Sequence, residues 1–500
     1  MTRLNRFACA VYATAVVVAL LAASGHPAAQ VPAKKAMTVD DYAKWRSITG
    51  QEISSDGKWV AYVLQHTNVA PTETKPVLHL VNLQTNEDVT VANATSPAFS
   101  SDSKWVAYSV DPSGGRGSRG ARGAQSPQST QTTQTTQITQ ITQTTESTQN
   151  APQGSGAARS GTPPPTPQRV ELRNLATGAV ESWHDVQSFV FSPAATHLVL
   201  KRRPVAPAPA GSGRGAPADA GGAPAAPNAG RAGGAGAPPP PRGSDAILVD
   251  LRTGRHFLLG SVSDIVFTKK GDLLAYVVDA PEKDANGVFV FDARSGRTTP
   301  LDNDSTIYSR VTWNDAGTAL AVLKGVEVDR MRERDNMVMA FTDVPSSIGR
   351  DDIDLKPVIF DPKTSDAFPK GFVVSDRAPL EWSEDCKRVF FGMKPQVPAP
   401  PAERKSIDEA ADVDVWNTSD ERVQSLQMAR AEQERNFTFR EVFDVSVQRF
   451  VKLADETMRD LDVAQDGRWA VGRDTRGYVS DYKRPAADIY RVNTTTGERT

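Results

Sequence analysis

Cysteine is scarce in this sequence, which has two cysteines in 500 residues. Cys9 lies in the first apolar stretch, and Cys386 stands alone in the rest of the chain. If the first stretch is removed, no intramolecular disulfide can form, so burial of apolar surface must stabilise the fold. We interpret Cys386 as a turn residue, because a reactive thiol would need a nearby base and an electropositive pocket.

An excess of charge of one sign is also lacking. The chain has 57 Lys and Arg against 59 Asp and Glu, so its net charge is -2. No overall field therefore favours nucleic acid or an anionic membrane as a partner. Arg116, Arg119 and Arg122 lie among Gly and Ser without interleaved aromatic residues, and we interpret them as part of a solvated linker.

Residues for metal or cofactor chemistry are few. The six histidines show no i,i+2 or i,i+4 pair of metal ligands; they are His26, His66, His79, His184, His197 and His256. Asp302-Asn-Asp304 begins like a calcium loop, but Ile307 occupies the sixth position, where such a loop needs Gly. His184-Asp185 has no nucleophile beside it. We therefore predict no catalytic residue, no cofactor and no metal site in this chain.

Long apolar runs are absent after residue 23. Met1–Arg6 carries two arginines, Phe7–Ala23 is apolar or small, and Ser24–Gln30 offers a cleavage site after Ala29. This pattern predicts a secretory signal over residues 1–29 and export to the periplasm or the extracellular space. The alternative is an uncleaved anchor, since the 17 apolar residues reach the lower limit of a membrane span, about 17–25. A membrane partner is expected only in that case.

The sequence does contain an internal repeat. Ile53-Ser-Ser-Asp-Gly-Lys-Trp-Val-Ala-Tyr62 recurs as Phe99-Ser-Ser-Asp-Ser-Lys-Trp-Val-Ala-Tyr108, and degraded copies begin at Phe191, Phe267, Trp313, Trp382 and Val463. The column seven residues on is apolar in every copy (Val60, Val106, Leu198, Leu274, Leu320, Val389, Ala470), and so is the next column. Each copy predicts a hairpin with a Ser/Asp/Gly turn, in which one column (Gly57, Gly271, Gly317, Gly467) favours positive φ.

A second turn element alternates with the first. It consists of Asn or Asp, two residues, Thr or Ser, then usually Gly, at 82–86, 174–178, 250–254, 292–296, 361–365 and 493–497. Two hairpins per period give a four-stranded unit, and the 46 residues from Ile53 to Phe99 match a β-propeller blade. We therefore predict an all-β propeller over residues 38–500, with seven or eight WD40-like, four-stranded antiparallel blades.

Three insertions interrupt the repeats. Residues 111–167 and 204–243 are low-complexity segments rich in Gly, Pro, Ala, Thr or Gln, and we predict that both are disordered loops. Residues 395–440 begin Pro-rich, and Thr418-Ser-Asp-Glu421 predicts a capping box for a helix over Glu421–Glu434. We expect this helix on the propeller surface, either as a packing element over a blade or as a contact to another domain or subunit.

Several segments together carry a resemblance to a known family. They are Tyr42-Ala-Lys-Trp45, the alternating Asp-Gly and Thr-Gly hairpins, and the stretch from Asp412-Val-Asp-Val-Trp416 through Arg435-Asn436 to Leu453-Ala-Asp-Glu456. From Thr38 onward, apart from the two low-complexity segments, the sequence resembles the N-terminal propeller of secreted prolyl-oligopeptidase-family (S9) serine peptidases. The Ser-x-Asp-Gly-Lys hairpins also resemble those of TolB-like propellers.

The resemblance implies a peptidase whose propeller caps an α/β-hydrolase domain and filters peptide substrates by size. The serine of that family's triad lies on a Gly-x-Ser-x-Gly elbow, which this sequence lacks: Arg116 stands two residues before Ser118, and Ala210 stands two residues before Ser212. We therefore expect the hydrolase domain to lie beyond residue 500. The alternative is a TolB-like propeller that acts as a non-enzymatic binding or scaffold module, without such an elbow in the reading frame.

The last turn element leads to an expectation about the C-terminal end. We predict that Asn493–Gly497 is the first hairpin turn of a blade. In five earlier copies of this turn element, a hairpin that opens with Phe or Trp begins 13 or 17 residues after the last residue of the turn. The second hairpin would then lie beyond Thr500. The propeller in this chain would be incomplete by half a blade.

Overall fold

The computed structural model describes residues 37–42, 44–70, 73–111, 168–204, 243–350, 355–399, 417, 420, 422–479, 484 and 486–500. The predicted signal, 1–29, lies outside the described residues, as do 112–167 and 205–242 of the low-complexity insertions. The described residues form 27 strands and three α-helices. The helices are α1 (Val39–Tyr42), α2 (Val344–Ser347) and α3 (Gln424–Asn436).

The strands form seven consecutive antiparallel units, which we name blades 1 to 7. Blade 1 contains β1 (Arg46–Ile53), β2 (Trp59–His66), β3 (Val77–Asn82) and β4 (Asp88–Ala92). Blade 2 contains β5 (Ala94–Phe99), β6 (Trp105–Val110), β7 (Arg169–Asn174) and β8 (Val180–His184). Blade 3 contains β9 (Val186–Phe191), β10 (His197–Arg202), β11 (Ser244–Asp250) and the first half of β12 (His256–Phe267).

Blade 4 contains the second half of β12, then β13 (Leu273–Val278), β14 (Gly287–Asp292) and β15 (Thr298–Asn303). Blade 5 contains β16 (Ile307–Trp313), β17 (Leu320–Val326), β18 (Asp335–Phe341) and β19 (Val358–Phe360). Blade 6 contains β20 (Phe372–Ser375), β21 (Glu381–Trp382), β22 (Arg388–Pro395), β23 (Phe439–Asp444) and β24 (Arg449–Val451). Blade 7 contains β25 (Asp460–Val463), β26 (Trp469–Asp474) and β27 (Asp488–Asn493).

The strand β12 belongs to two blades. Its first half pairs with β11 and its second half with β13, and the register shifts near Val262 in both pairings. Ser261, just before the shift, has a φ of 50°, which turns the strand out of the first sheet. The seven strands β9 to β15 are therefore continuous in hydrogen bonding, although they form two blades. The all-β propeller predicted from the sequence is confirmed.

All seven copies of the first repeat are present, each as the first two strands of a blade. The residue that opens each copy is the last residue of a first strand, from Ile53 in β1 to Val463 in β25. The predicted glycine column has positive φ, and Ser103, Ala195 and Cys386 adopt the same conformation in the three copies without Gly. Cys386 is thus a turn residue, as predicted from the sequence.

The second turn element joins the third and fourth strands of a blade. Asn82 illustrates its chemistry, because the side-chain oxygen accepts hydrogen bonds from the N–H groups of Gln84 and Thr85. Asn86 and the glycines of the equivalent turns then take positive φ. The same arrangement holds in blades 1, 2, 3, 4 and 7.

The sequence assignment of this element is wrong in blade 5 and missed in blade 6. Asp361–Ser365 follows the fourth strand of blade 5 and forms a 3₁₀ turn, and Ser365 has a φ of -102°. The third and fourth strands of that blade are joined instead by the longer connection 342–357. In blade 6 the turn is Asp444–Gln448, where Asp444 accepts from Ser446 and Gln448 has a φ of 53°.

The predicted order of the two hairpins within a blade is also wrong. Asn493–Gly497 follows the third strand of blade 7, whereas we expected it to be the first turn of a blade. After this turn, Arg499 forms a β-bridge with Val492. Blade 7 therefore contains three strands and the first pairing of a fourth among the described residues.

The hydrophobic core lies between consecutive blades rather than at a single centre. In each second strand, one apolar column faces the preceding blade and the next column faces the following blade: Ala61 packs with Val106 between blades 1 and 2. The same pairing recurs up to Phe390 with Ala470 between blades 6 and 7. The outer columns at the two ends are less covered, because Val60 is only half-buried and Val471 is 41% exposed.

All the insertions leave from one side of the propeller. Each lies between the second and third strands of its blade, after β6, β10 or β22. Because strands alternate in direction, these connections emerge on the side opposite both kinds of hairpin turn. We call this the insertion side.

The third insertion differs in detail from its prediction. Pro395 is still part of β22, and Phe439 and Arg440 already belong to β23. The helix α3 begins at Gln424 with Val423 at its N-cap and no side-chain cap, so the predicted capping box does not start it. The helix lies on the surface, as predicted, and none of its residues is buried. No helix of the described residues is long and apolar enough to cross a membrane.

Candidate functional site

The five described histidines are spread over the three N-terminal blades. His79 lies 2.9 Å from Asp88 and stacks on Tyr62. His197 is buried at the start of β10, and burial lowers its pKa. His66, His184 and His256 stand at strand ends, and His26 lies outside the described residues. In the part of the chain that is described, no three His, Cys, Asp or Glu side chains are grouped as metal ligands.

The residues that begin like a calcium loop hold a lysine. Nζ of Lys324 lies 2.9 Å from carboxylate oxygens of both Asp302 and Asp304. Tyr308 also donates to Asp302, and burial together with this carboxylate raises its pKa. The two carboxylates therefore serve to hold Lys324 and the start of β16 together.

The first strand of blade 6 is interrupted. The strands β20 and β21 both pair with β22, and residues 376–380 bulge out between them. Gly392 permits the bulge, because a Cβ there would lie 2.5 Å from that of Ala378. First strands of successive blades pack against one another, as β12 does with β16, so they face the centre of the propeller. We call the surface they form the inner wall.

Charged side chains from blades 5 and 6 meet at this bulge, on the insertion side of the inner wall. We call them the inner-wall charge cluster: Arg310, Glu333, Arg334, Asp376, Arg377 and Lys394. Arg310, in a bulge of β16 with a φ of 60°, donates from Nε to the backbone oxygen of Asp376 at 2.5 Å. Arg334 forms an ion pair with the side chain of Asp376.

The second carboxylate of the cluster, Glu333, is held by the neighbouring blade. Nζ of Lys394 donates to Glu333 at 3.0 Å and to the backbone oxygen of Arg435, at the end of α3, at 2.8 Å. Gln396 accepts from the N–H of Glu333 and donates to its backbone oxygen. Through Lys394, the cluster is thus connected to the helix on the insertion side.

Arg310 lies in a part of the cluster with little access to water. Burial lowers the pKa of Arg310; Asp376 and Asp264 oppose this effect, whereas Arg377 and Arg334 add to it. Burial also raises the pKa of Asp264, which accepts from the N–H of Val311. Three guanidinium groups therefore lie close enough to repel one another in a site with reduced access to water.

A cavity of about 490 Å³ lies beside the cluster, between blades 6 and 7. Its lining includes Pro379, Phe390 and Leu461 from the blades and Glu434 from α3. Arg459 stacks 3.9 Å above the ring of Phe437 and forms an ion pair with Glu434. The cavity is therefore partly apolar and is bordered by the helix.

Comparison with known proteins adds likenesses of fold. No protein-family model and no curated protein matches the chain. The β-propeller domain of the trilobed protease from Pyrococcus furiosus is similar at 11% identity and a TM-score of 0.30, covering 90% of this chain and 93% of that one. A prolyl endopeptidase is similar at 11% identity and a TM-score of 0.34, covering 91% of this chain and 49% of that one.

TolB from Acinetobacter baumannii is similar at 12% identity and a TM-score of 0.23, covering 60% of this chain and 52% of that one. The chain spans about half the length of the prolyl endopeptidase.

The inner-wall charge cluster and the cavity were not predicted from the sequence. Arg310 and Asp376 are 66 residues apart, and Glu333 and Lys394 are 61 residues apart, in segments without a common motif. The one available signal is the run Arg332-Glu-Arg-Asp335, whose two central residues both enter the cluster. Chemically, the three guanidinium groups and the lysine of this cluster can bind an anionic group.

Proposed function

We propose that this chain is the substrate-gating propeller portion of an exported S9-type serine peptidase. The first support is the stretch from Asp412 to Glu456, by which the sequence resembles that family. In the structure, its last residues join blade 6 to blade 7. Leu453 donates its N–H to the buried Glu441, and Arg499 pairs with Asp455 across the same connection.

The observation that carries the proposal is the common position of the long connections. Those after β6, β10 and β22 all leave the propeller on the insertion side, where the inner-wall charge cluster also lies. A domain seated on that side would contact the connections and receive substrates that pass the inner wall. Apart from the connection 342–357 of blade 5, the opposite side has short turns built from backbone and Ser or Asp contacts, as at Ser54 and Asp56.

The chemistry of cleavage would come from another domain. The sequence has no Gly-x-Ser-x-Gly elbow, so the nucleophilic serine would belong to a hydrolase domain that follows residue 500 in the reading frame. In this arrangement the propeller selects peptides by size and by their charged ends, and the hydrolase domain cleaves them.

The test compares the 500-residue chain with the product of the complete reading frame, using a serine-directed fluorophosphonate. The longer product is expected to be labelled and to cleave short peptide esters but not a folded protein. The chain alone is expected to give neither label nor cleavage. Labelling of a serine in the purified chain contradicts the proposal, and a reading frame without an elbow favours the TolB-like binding module.

Export is a separate part of the proposal and rests on residues 1–29. Expression of the chain in a bacterium with a periplasm, followed by N-terminal sequencing, is expected to give a periplasmic product that begins at Gln30. An intact N-terminus in the membrane fraction indicates the anchor instead.

A further inference from the structure

The inner-wall charge cluster contains more cations than carboxylates. Arg310, Arg334, Arg377 and Lys394 are four cations, and Glu333 and Asp376 are two carboxylates. Two positive charges are therefore left over. The neighbouring Lys201 and Asp264 interact electrostatically with each other, and as a pair, both ionised or both neutral, they do not change this excess.

Such an excess is costly in a site that is shielded from water, because buried charges are stable only when they are paired and hydrogen-bonded. Glu333 and Lys394 are both buried, and Arg334 is only 7% exposed. Yet Nη1 of Arg334 has no hydrogen-bond partner among the described residues, and neither has Nε of Arg377. The nearby carboxylate oxygen of Glu333 lies 3.9 Å from Nε of Arg377, beyond hydrogen-bond distance.

One member of the cluster, Arg377, is nevertheless partly exposed. Arg377 stands in the bulge 376–380 on the inner wall, and its side chain is 23% exposed. Its backbone oxygen is fixed by Nη2 of Arg310 at 3.4 Å, and its N–H donates to Ser375. A fixed backbone places the planar guanidinium at a set position on the wall, where it can receive a ligand with two oxygens.

We propose that Arg377, with Arg310 and Arg334 behind it, binds the carboxylate of a peptide that enters the propeller. This inference rests on the proposed function, because it takes the substrate to be a peptide. A carboxylate matches a guanidinium fork in geometry and neutralises part of the charge excess. Peptide carboxylates come from two sources, the C-terminus and acidic side chains.

The first experiment measures binding to the purified 500-residue chain by calorimetry at low ionic strength, with peptides acetylated at the N-terminus. The probes are an alanine tetrapeptide with a free C-terminus, its C-terminal amide, and an amidated tetrapeptide that contains one Asp. The free acid is expected to bind at least about tenfold more tightly than its amide, and more weakly at high salt. Equal binding of the free acid, the amide and the Asp peptide overturns the proposal.

The two sources are separated by the third probe. Stronger binding of the free acid than of the Asp peptide assigns the site to C-termini, and the reverse order assigns it to acidic side chains. Inorganic phosphate that binds as tightly as either peptide, and competes with it, overturns the proposal in favour of a general anion site.

The second experiment uses variants of the chain. Arg377→Gln is expected to lower the affinity for the carboxylate peptide at least about tenfold. The melting temperature should stay unchanged, because Nε of Arg377 has no hydrogen-bond partner among the described residues. The control is Arg440→Gln, which removes a half-buried arginine of the neighbouring cavity that pairs with Glu381. Loss of binding in Arg440→Gln with full binding in Arg377→Gln overturns the proposal.

The design also separates this inference from the proposed function, since binding is measured without any peptidase domain. Carboxylate binding that is lost in Arg377→Gln supports the site even if the complete reading frame encodes no hydrolase. Cleavage of amidated and free-acid peptides with the same KM by the longer product contradicts the site but not the peptidase.

Discussion

At the scale of single residues, the turn between the first two strands depends on one backbone conformation. The same column has positive φ in all seven blades, whether it contains Gly, Ser, Ala or Cys. Only Gly adopts this conformation without a steric cost. The four glycines could therefore be assigned from the sequence, whereas Ala195 and Cys386 could be placed there only through alignment with them.

Two glycines of this column allow the steric and conformational costs to be separated. A Cβ on Gly57 would contact nothing within 4 Å, whereas a Cβ on Gly467 would lie 2.4 Å from Cβ of Ser383 in blade 6. Gly57→Ala is expected to lower the free energy of unfolding by about 1–2 kcal/mol through strain alone. Gly467→Ala is expected to cost clearly more, as measured by urea unfolding, and equal costs would contradict the close approach of blades 6 and 7.

The buried Glu441 predicts a dependence of stability on pH. Burial raises its pKa to about 8, although the N–H groups of Leu453 and Ala454 act in the opposite direction. The folded pKa lies above the value of 4.5 for an unperturbed Glu. The neutral carboxyl therefore contributes stability that is fully present below pH 4.5 and is lost as the pH rises to about 8.

Within this range the free energy of unfolding is expected to fall by about 1.4 kcal/mol per pH unit through this group. Glu441→Gln, which cannot ionise, should remove the slope, and urea unfolding between pH 5 and 9 measures it. Glu333→Gln is not a suitable control, because it breaks the pair with Lys394. Asp466→Asn is a suitable control, since Asp466 lies in an exposed turn and the N–H and side chain of Arg468 lower its pKa. An identical slope in wild type and Glu441→Gln would show that Glu441 is ionised in the fold.

Among the strands and turns, the first hairpin of each blade can be predicted from a short sequence motif, whereas the later strands cannot. The seven copies of the first repeat located all seven first hairpins, because the turn and the strand that follows it lie within one short stretch of sequence. Asp361–Ser365 matched the second turn pattern but follows a strand of only three residues, Val358–Phe360. A short motif cannot show which strands it joins, since that depends on pairing between distant segments.

The first low-complexity insertion offers a prediction at this scale. Val110, at the end of β6, pairs with Arg169 at the start of β7, so the ends of the insertion already lie side by side. Closing a shorter loop between adjacent ends costs little entropy. Deletion of Gly114–Thr166 is therefore expected to change the melting temperature by less than about 2–4 °C, which corresponds to under 1 kcal/mol.

Calorimetry or circular dichroism measures this change, and deletion of Ala206–Pro241 between β10 and β11 is a second case with the same expectation. Removal of Gln424–Asn436 is the contrasting deletion. It takes away the backbone oxygen of Arg435 that Lys394 binds, and it should lower the melting temperature more. A large loss in either low-complexity deletion would mean that the segment packs against the blades.

In the whole molecule, six interfaces between the seven blades of the described residues stabilise the propeller. Each interface has its own hydrophobic cluster, so stability is distributed along the series as in a repeat protein. The sequence predicted these interfaces through two adjacent apolar columns. It could not predict the inner-wall charge cluster, because charged residues there are selected by contacts between blades and not by periodicity.

The apolar columns of the second strands are covered to different extents in the middle and at the end of the series of blades. Val106 is fully buried between blades 1 and 2, whereas Val471 is 41% exposed on the face of blade 7 that points away from blade 6. Val106→Asp buries an unpaired charge and is expected to cost several kcal/mol in the free energy of unfolding. Val471→Asp leaves its carboxylate in contact with water and should cost less than about 1 kcal/mol.

Urea unfolding of both variants decides how the ends of the series are covered in solution. Comparable losses in both would show that the outer face of blade 7 is packed, as it would be if it met Val60 of blade 1 or a sheet supplied by another segment. Near-wild-type stability of Val106→Asp would instead contradict the assignment of the apolar columns. A much larger loss of unfolding free energy in Val106→Asp than in Val471→Asp means that the face bearing Val471 stays open to solvent, where it can pack against a further sheet.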